Sequence, residues 1–192
     1  NNLADINMPS PFTRIGPGPA SIVKPDLVFY GGNASVINGK GRYTGVKSFT
    51  PSGDVGGAAG TSFSTPGVSR IAGELSFLLS ENFDPLLIRA LLIHYAKYPD
   101  GIRMKMADKI SQMGFGIPVS ANEILYNSPD EITLVLRDTL EKGSFIEMFD
   151  FPYPPSLIDE HGNFTGQIIL TVVNKSLVDE NSQENIANPI LM

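Results

Sequence analysis

The chain has no cysteine and no tryptophan, only two histidines, and 18% charged residues against roughly 25% in an average soluble protein. Without cysteine, disulfides, thiolate nucleophiles and Cys-ligated zinc are excluded, while the compartment stays open. Low charge combined with 42% hydrophobic residues over 192 positions excludes a disordered chain and supplies enough apolar side chain for a sizeable core. Fourteen basic against twenty acidic residues give a formal charge of -6. No basic run exceeds the sparse Arg103 and Lys105 pair, so nucleic acid and anionic membrane surfaces are poor partners. The longest apolar stretch, around residues 86–96, contains Arg89 and His94 and falls far short of the roughly 20 residues a membrane span needs. Residues 1–10 carry neither the charged region nor the apolar run of a signal peptide, and no initiator Met, which reads as a fragment boundary.

Glycine and proline are plentiful instead, at 19 and 15 residues, so tight turns must hold much of the structure and long simple bundles are disfavoured. Residues 1–60 are turn-rich, with one apolar burst at Leu27-Val28-Phe29-Tyr30 that reads as a short buried strand. Val68, Ile71, Ala72, Leu75, Leu78 and Leu79 recur at three- and four-residue spacing, which predicts a helix over residues 62–79 with all six on one face. Pro66 fits that helix only within its first turn. Asp84-Pro85 reads as N-cap and first residue of a second, nearly all-apolar helix through Lys97. A Gly-rich corner at Gly114-Phe115-Gly116 follows, then an S-x-x-E capping box at Ser120 and Glu123 that opens a short helix ending near Tyr126. Beyond residue 130, alternation at Ile132, Leu134 and Leu136, with extended runs at 145–151 and 167–173, predicts a small antiparallel β-sandwich. The polar tail after Leu177 reads as poorly ordered.

One segment stands apart: Gly60-Thr61-Ser62-Phe63-Ser64-Thr65-Pro66, directly before the first amphipathic helix. A serine there faces unsatisfied backbone N–H groups and the positive end of the helix dipole, and Gly60 permits close backbone approach. Taken alone, a Ser or Thr before a helix is most often a cap, and Thr61, Ser64 and Thr65 read as capping or packing residues. The segment, however, resembles the serine-nucleophile motif of the subtilisin-like serine proteases, the subtilases. The resemblance extends to Ser10-Pro11-Phe12-Thr13-Arg14-Ile15-Gly16-Pro17, similar to the family's SPFSxxGP segment. It includes Lys24-Pro25-Asp26-Leu27 followed by Gly31-Gly32, and Arg89-Ala90-Leu91-Leu92 in the second helix.

The resemblance covers residues 8–128 and implies an α/β fold. Residues 1–128 would be the C-terminal part of a subtilisin-like parallel-sheet domain, and residues 129–192 a β-rich accessory domain. It implies a serine endopeptidase acting on peptide or protein substrates through an acyl-enzyme on Ser62. The family's aspartate, histidine and oxyanion asparagine precede its serine, whereas His94 and His161 both follow Ser62 here. Neither matches the catalytic histidine: His94 reads as a histidine in or at the edge of the core, and His161, in Asp159-Glu160-His161-Gly162-Asn163, as a solvent-facing turn residue. Only Ser62 is therefore carried over, the other members being expected on upstream sequence, and this chain alone should be inactive. Asn1 and Asn2 read as a frayed terminus and Asp26 as a structural turn residue.

Other constellations are weaker. The GxSxG elbow fails at its last position, and the Gly31-Gly32 and Gly56-Gly57 pairs lack phosphate-loop spacing. Asp54, Asp84, Asp159 and Glu160 could each join a calcium site, but no DxDxDG run assigns one, and no cofactor is implied. The rival reading is a non-catalytic, degenerate subtilase or a β-sandwich binding module. A half domain would expose apolar faces toward its upstream half, or pair them in a homo-oligomer.

Overall fold

Among the described residues, which are 2–18, 22–126, 130–141 and 143–175, the computed structural model contains four short strands and four α-helices. β1 (Asn33–Ile37) and β2 (Lys40–Thr44) form an antiparallel hairpin. Its two-residue turn puts Asn38 and Gly39 at φ 51° and 73°. A turn of that length in a right-twisted hairpin takes positive φ at both central residues, which Asn-Gly tolerates best. β3 (Val46–Phe49) and β4 (Val55–Ala58) make a second antiparallel hairpin. Its loop is closed by Thr50 N–H donating to the Asp54 carbonyl at 2.8 Å and the Ser52 hydroxyl donating to the Asp54 carboxylate at 3.0 Å. Both sheets are two-stranded and antiparallel, and with the helices they are compatible with an α/β class.

Residues 27–30 do not form the buried strand expected of them. The segment is extended but pairs with no strand among the described residues, and Tyr30 is largely exposed. A strand needs a neighbour to complete its ladder. Here the neighbours are a loop, with Val28 N–H donating to the Gly116 carbonyl at 3.0 Å, and Phe115 N–H donating to the Asp26 carbonyl at 2.9 Å.

α1 (Thr61–Leu79) buries Ile71 and Leu75 completely. Val68, Ala72 and Leu79 pack half-buried against the same cluster. Leu78 departs from expectation and is 44% exposed. At roughly 100° per residue it lies at the edge of the apolar stripe, beyond Ile71. The helix starts one residue earlier than expected, with Gly60 as N-cap, so Pro66 is its sixth residue and lies past the first turn. Proline has no N–H to give the Ser62 carbonyl four residues back. Ser64 and Thr65 do not cap the helix; their hydroxyls both donate to the Thr61 carbonyl, at 3.0 and 2.9 Å.

α2 (Pro85–His94) opens as predicted, with the Asp84 carboxylate accepting from Leu86 N–H at 2.7 Å. It ends three residues before Lys97, which instead exchanges two backbone hydrogen bonds of 2.9 Å with Ile117. α3 (Met106–Met113) was not expected, since its charged and polar middle masks the Met106, Ile110 and Met113 spacing. α4 (Ala121–Leu125) carries the predicted capping box complete. Ile88, Leu91 and Leu92 of α2 and Ala121 and Ile124 of α4 close the core around Ile71 and Leu75.

Beyond residue 130 the expected β-sandwich is not formed among the described residues. One isolated bridge, Ile158 to Phe164, and a single 3₁₀ turn at Pro155–Leu157 are all the regular structure there. Period-two apolar alternation supplies a face for a strand but not the partner whose N–H and C=O must meet it. The expected boundary at 128/129 and the tail after Leu177 lie outside the described residues.

Candidate active site

Segments far apart in sequence meet at the N-terminal end of α1. Gly60 sits at φ 152°, a conformation that favours glycine. In it, Gly60 N–H donates to the Gly31 carbonyl at 2.7 Å and the Gly60 carbonyl accepts from Phe63 N–H at 3.0 Å. The Ser10 hydroxyl donates to the Gly32 carbonyl at 2.6 Å, pinning the Ser10-Pro11-Phe12 segment to the same glycine pair. Between these segments lies a cavity of about 350 Å³, walled by Phe12, Arg14, Lys24, Phe29, Thr61 and Ser64 among others. A fourth segment joins through charge: Arg89 of α2 places its guanidinium 2.5 Å from the Asp26 carboxylate, which also pairs with Lys24. Partial burial pushes the Asp26 pKa up, but hydrogen bonds and charge from Lys24 and Arg89 outweigh it and hold the carboxyl below its usual value. This link across 63 positions was not legible in the sequence, because an ion pair between distant residues has no local pattern.

Ser62 is the second residue of α1 and is exposed. Its hydroxyl makes no hydrogen bond among the described residues, and the N–H groups of Thr61 and Ser62 have no acceptor there either. First-turn N–H groups lack intrahelical partners by geometry, and they point with the positive helix end toward whatever approaches the serine. Thr61 and Ser64, on either side of Ser62, line the cavity, while Ser62 lies outside its wall. The arrangement can polarise a carbonyl oxygen brought to the helix end. Among the described residues it supplies no base to activate the hydroxyl.

Neither histidine is brought to Ser62. His94, the last residue of α2, is half-buried, with its Nδ1 2.9 Å from the Thr171 hydroxyl and its ring edge-on to Tyr95. His161 is exposed beside Glu160 in the expected turn. That turn is organised by Asp159, whose carboxylate accepts from the N–H groups of His161 at 2.9 Å and Asn163 at 2.7 Å. The Asn163 backbone bond is the largest cause holding the Asp159 pKa below normal. Asp54 is engaged with Ser52, and Asp84 with Leu86 and Arg137. No group of three or more His, Asp or Glu able to hold a metal ion occurs among the described residues. Asn2 forms an isolated bridge with Ser35, and Asn1 lies outside the described residues. No helix among the described residues is long and apolar enough to cross a membrane.

Comparison with curated proteins and with solved structures returned no match. A family profile described as the subtilase family matches residues 3–117, a stretch that contains all four converging segments and more than half of the chain. The chain therefore belongs to the subtilase family of serine peptidases.

Proposed function

We propose that this chain carries the nucleophile-bearing portion of a subtilisin-like serine endopeptidase, with Ser62 as the nucleophile and peptide or protein as substrate. The observation behind this reading is the exposed Ser62 hydroxyl, without a hydrogen bond among the described residues, beside two first-turn N–H groups that have no acceptor there, inside the family match. In the proposed reaction the Ser62 oxygen attacks the scissile carbonyl while a histidine base takes its proton. The Ser62 N–H and an asparagine stabilise the oxyanion, the amine leaves with that proton, and water hydrolyses the acyl-enzyme. Histidine, aspartate and asparagine would come from sequence upstream of residue 1. The parallel sheet is part of the same proposal, with residues 27–30 as one strand awaiting neighbours from that upstream part. Phe77, 82% exposed on α1, belongs to the surface such a half would cover.

The test is labelling with a fluorophosphonate probe. The chain by itself should stay unlabelled. The same chain joined to upstream sequence bearing the family's aspartate and histidine should label, and Ser62→Ala should abolish it. Absence of labelling in the joined protein would favour the degenerate, non-catalytic reading, and labelling that survives Ser62→Ala would remove Ser62 from the mechanism.

A further inference from the structure

The two ends of α2 are each gripped by the chain that follows residue 130. At the start, the Asp84 carboxylate divides its oxygens: Oδ1 caps Leu86 N–H at 2.7 Å, and Oδ2 takes the Arg137 guanidinium at 2.6 Å. At the other end, the Tyr95 hydroxyl meets the Thr133 hydroxyl, and His94 Nδ1 meets the Thr171 hydroxyl at 2.9 Å. His94 and Tyr95 are adjacent, so Thr133 and Thr171 are brought to the same place.

The spacing of these anchors is informative. Asp84 to Tyr95 spans about 16 Å at ~1.5 Å per helical residue. Thr133 to Arg137 can span at most about 13 Å, at ~3.3 Å per residue when fully extended. The shortfall is what a long Arg and a long Tyr side chain can bridge, so the segment lies antiparallel along the helix with little slack. Fraying α2 by one turn, about 5.4 Å, would carry an anchor out of reach. Between the anchors Leu134, Val135 and Leu136 are 40%, 50% and 61% exposed, so burial does little to hold the segment down. The contacts seen among the described residues lie at its ends. An ion pair with the Arg137 side chain 57% exposed contributes little alone, so the ties seen among the described residues hold best if they act together.

We propose that residues 130–141 form a strap that seats along α2 as one unit, anchored by Thr133 and Arg137 and joined by Thr171, and seated only when both ends of the helix are formed. Since Ile88, Leu91 and Leu92 of α2 pack in one cluster with Ile71 and Leu75 of α1, the strap stands one helix away from the helix that bears Ser62. It ties the downstream region to the fold of that core.

The test reads one end of the helix while perturbing the other. With only two histidines in the chain, the imidazole proton resonances are assigned by His161→Asn, and Thr171→Val defines the shift of a released His94. Arg137→Gln alters the strap without touching the helix. Asp84→Asn removes the ion pair while keeping a good N-cap residue. At about 16 Å, beyond the Debye length in physiological salt, loss of one charge has little direct effect on the His94 ring. If the strap is one unit, both variants should move the His94 resonance toward the Thr171→Val position and speed chymotryptic cleavage within residues 130–141 several-fold. Unchanged His94 resonances and unchanged cleavage in both variants would overturn the proposal, leaving three independent contacts.

Discussion

Gly67→Ala sets two effects of similar size against each other. At an open helix position, replacing glycine by alanine stabilises by about 1 kcal/mol, because alanine restricts the unfolded chain and favours the helix. A Cβ added to Gly67 would stand 2.5 Å from Phe29 Cδ1 and closer still to Cε1. Carbon atoms prefer about 3.5–4.0 Å, so the ring would have to retreat by more than ~1 Å. Phe29 packs against the core cluster and lies edge-on to Tyr30 with ring centroids 5.5 Å apart, contacts that a retreat toward the cavity it lines would disturb. Overpacking of this kind costs about 1–3 kcal/mol, so the clash should win and Gly67→Ala should destabilise by about 1 kcal/mol net. Gly73, in the same helix, would bring an added Cβ within 4 Å of no described heavy atom beyond its chain neighbours and the adjoining helix backbone, and serves as the control. Gly73→Ala should stabilise by about 1 kcal/mol. Urea unfolding followed by far-UV circular dichroism gives both values, as the chain has no Trp for fluorescence. If Gly67→Ala proves as stabilising as Gly73→Ala, the packing of α1 on Phe29 is wrong.

Leu75 is fully buried at the centre of the core, and Leu75→Ala should cost about 2–5 kcal/mol, visible as a large drop in urea midpoint; a change below ~1 kcal/mol would place Leu75 outside the core. The folded-state pKa of Asp26 lies below its unfolded value, so its pairing with Lys24 and Arg89 stabilises fully above the unfolded pKa and is lost as pH falls through the folded one. Asp26→Asn should therefore lower stability at neutral pH and flatten the acid limb of the stability profile below about pH 4. An acid limb identical to that of the parent chain would contradict the assignment.

What could be read from the sequence is what local chemistry determines. The Asp84 cap and the Ser120–Glu123 box were legible because each satisfies donors within its own first helical turn. The core face of α1 was legible from spacing apart from its edge, where Leu78 turned outward. Asn38-Gly39 carried an equally local signal for the first hairpin, and it was obscured by the turn-rich composition around it. The strand expected at residues 27–30 and the sandwich expected after 130 are not seen among the described residues, and for one common reason: alternation describes a side-chain face, while a sheet also needs a second backbone at the right place and register.

The same distinction explains the candidate site. The motif around Ser62 fixes what one backbone does, namely a glycine at φ 152° followed by a helix whose Thr61 and Ser62 N–H groups have no acceptor among the described residues. What meets that end is non-local: the Gly31 carbonyl accepts from the Gly60 N–H and the Ser10 hydroxyl donates to the neighbouring Gly32 carbonyl, while the segment that carries this glycine pair is tied to α2 through Asp26 and Arg89. None of these contacts follows from a period or a cap, yet all fall in segments the family resemblance had singled out. The short motifs therefore describe one assembly rather than four separate features. Among the described residues the Thr61 and Ser62 N–H groups have no acceptor and no histidine stands beside Ser62, so under the proposed function the activity of this helix end depends on an imidazole brought to it by other polypeptide.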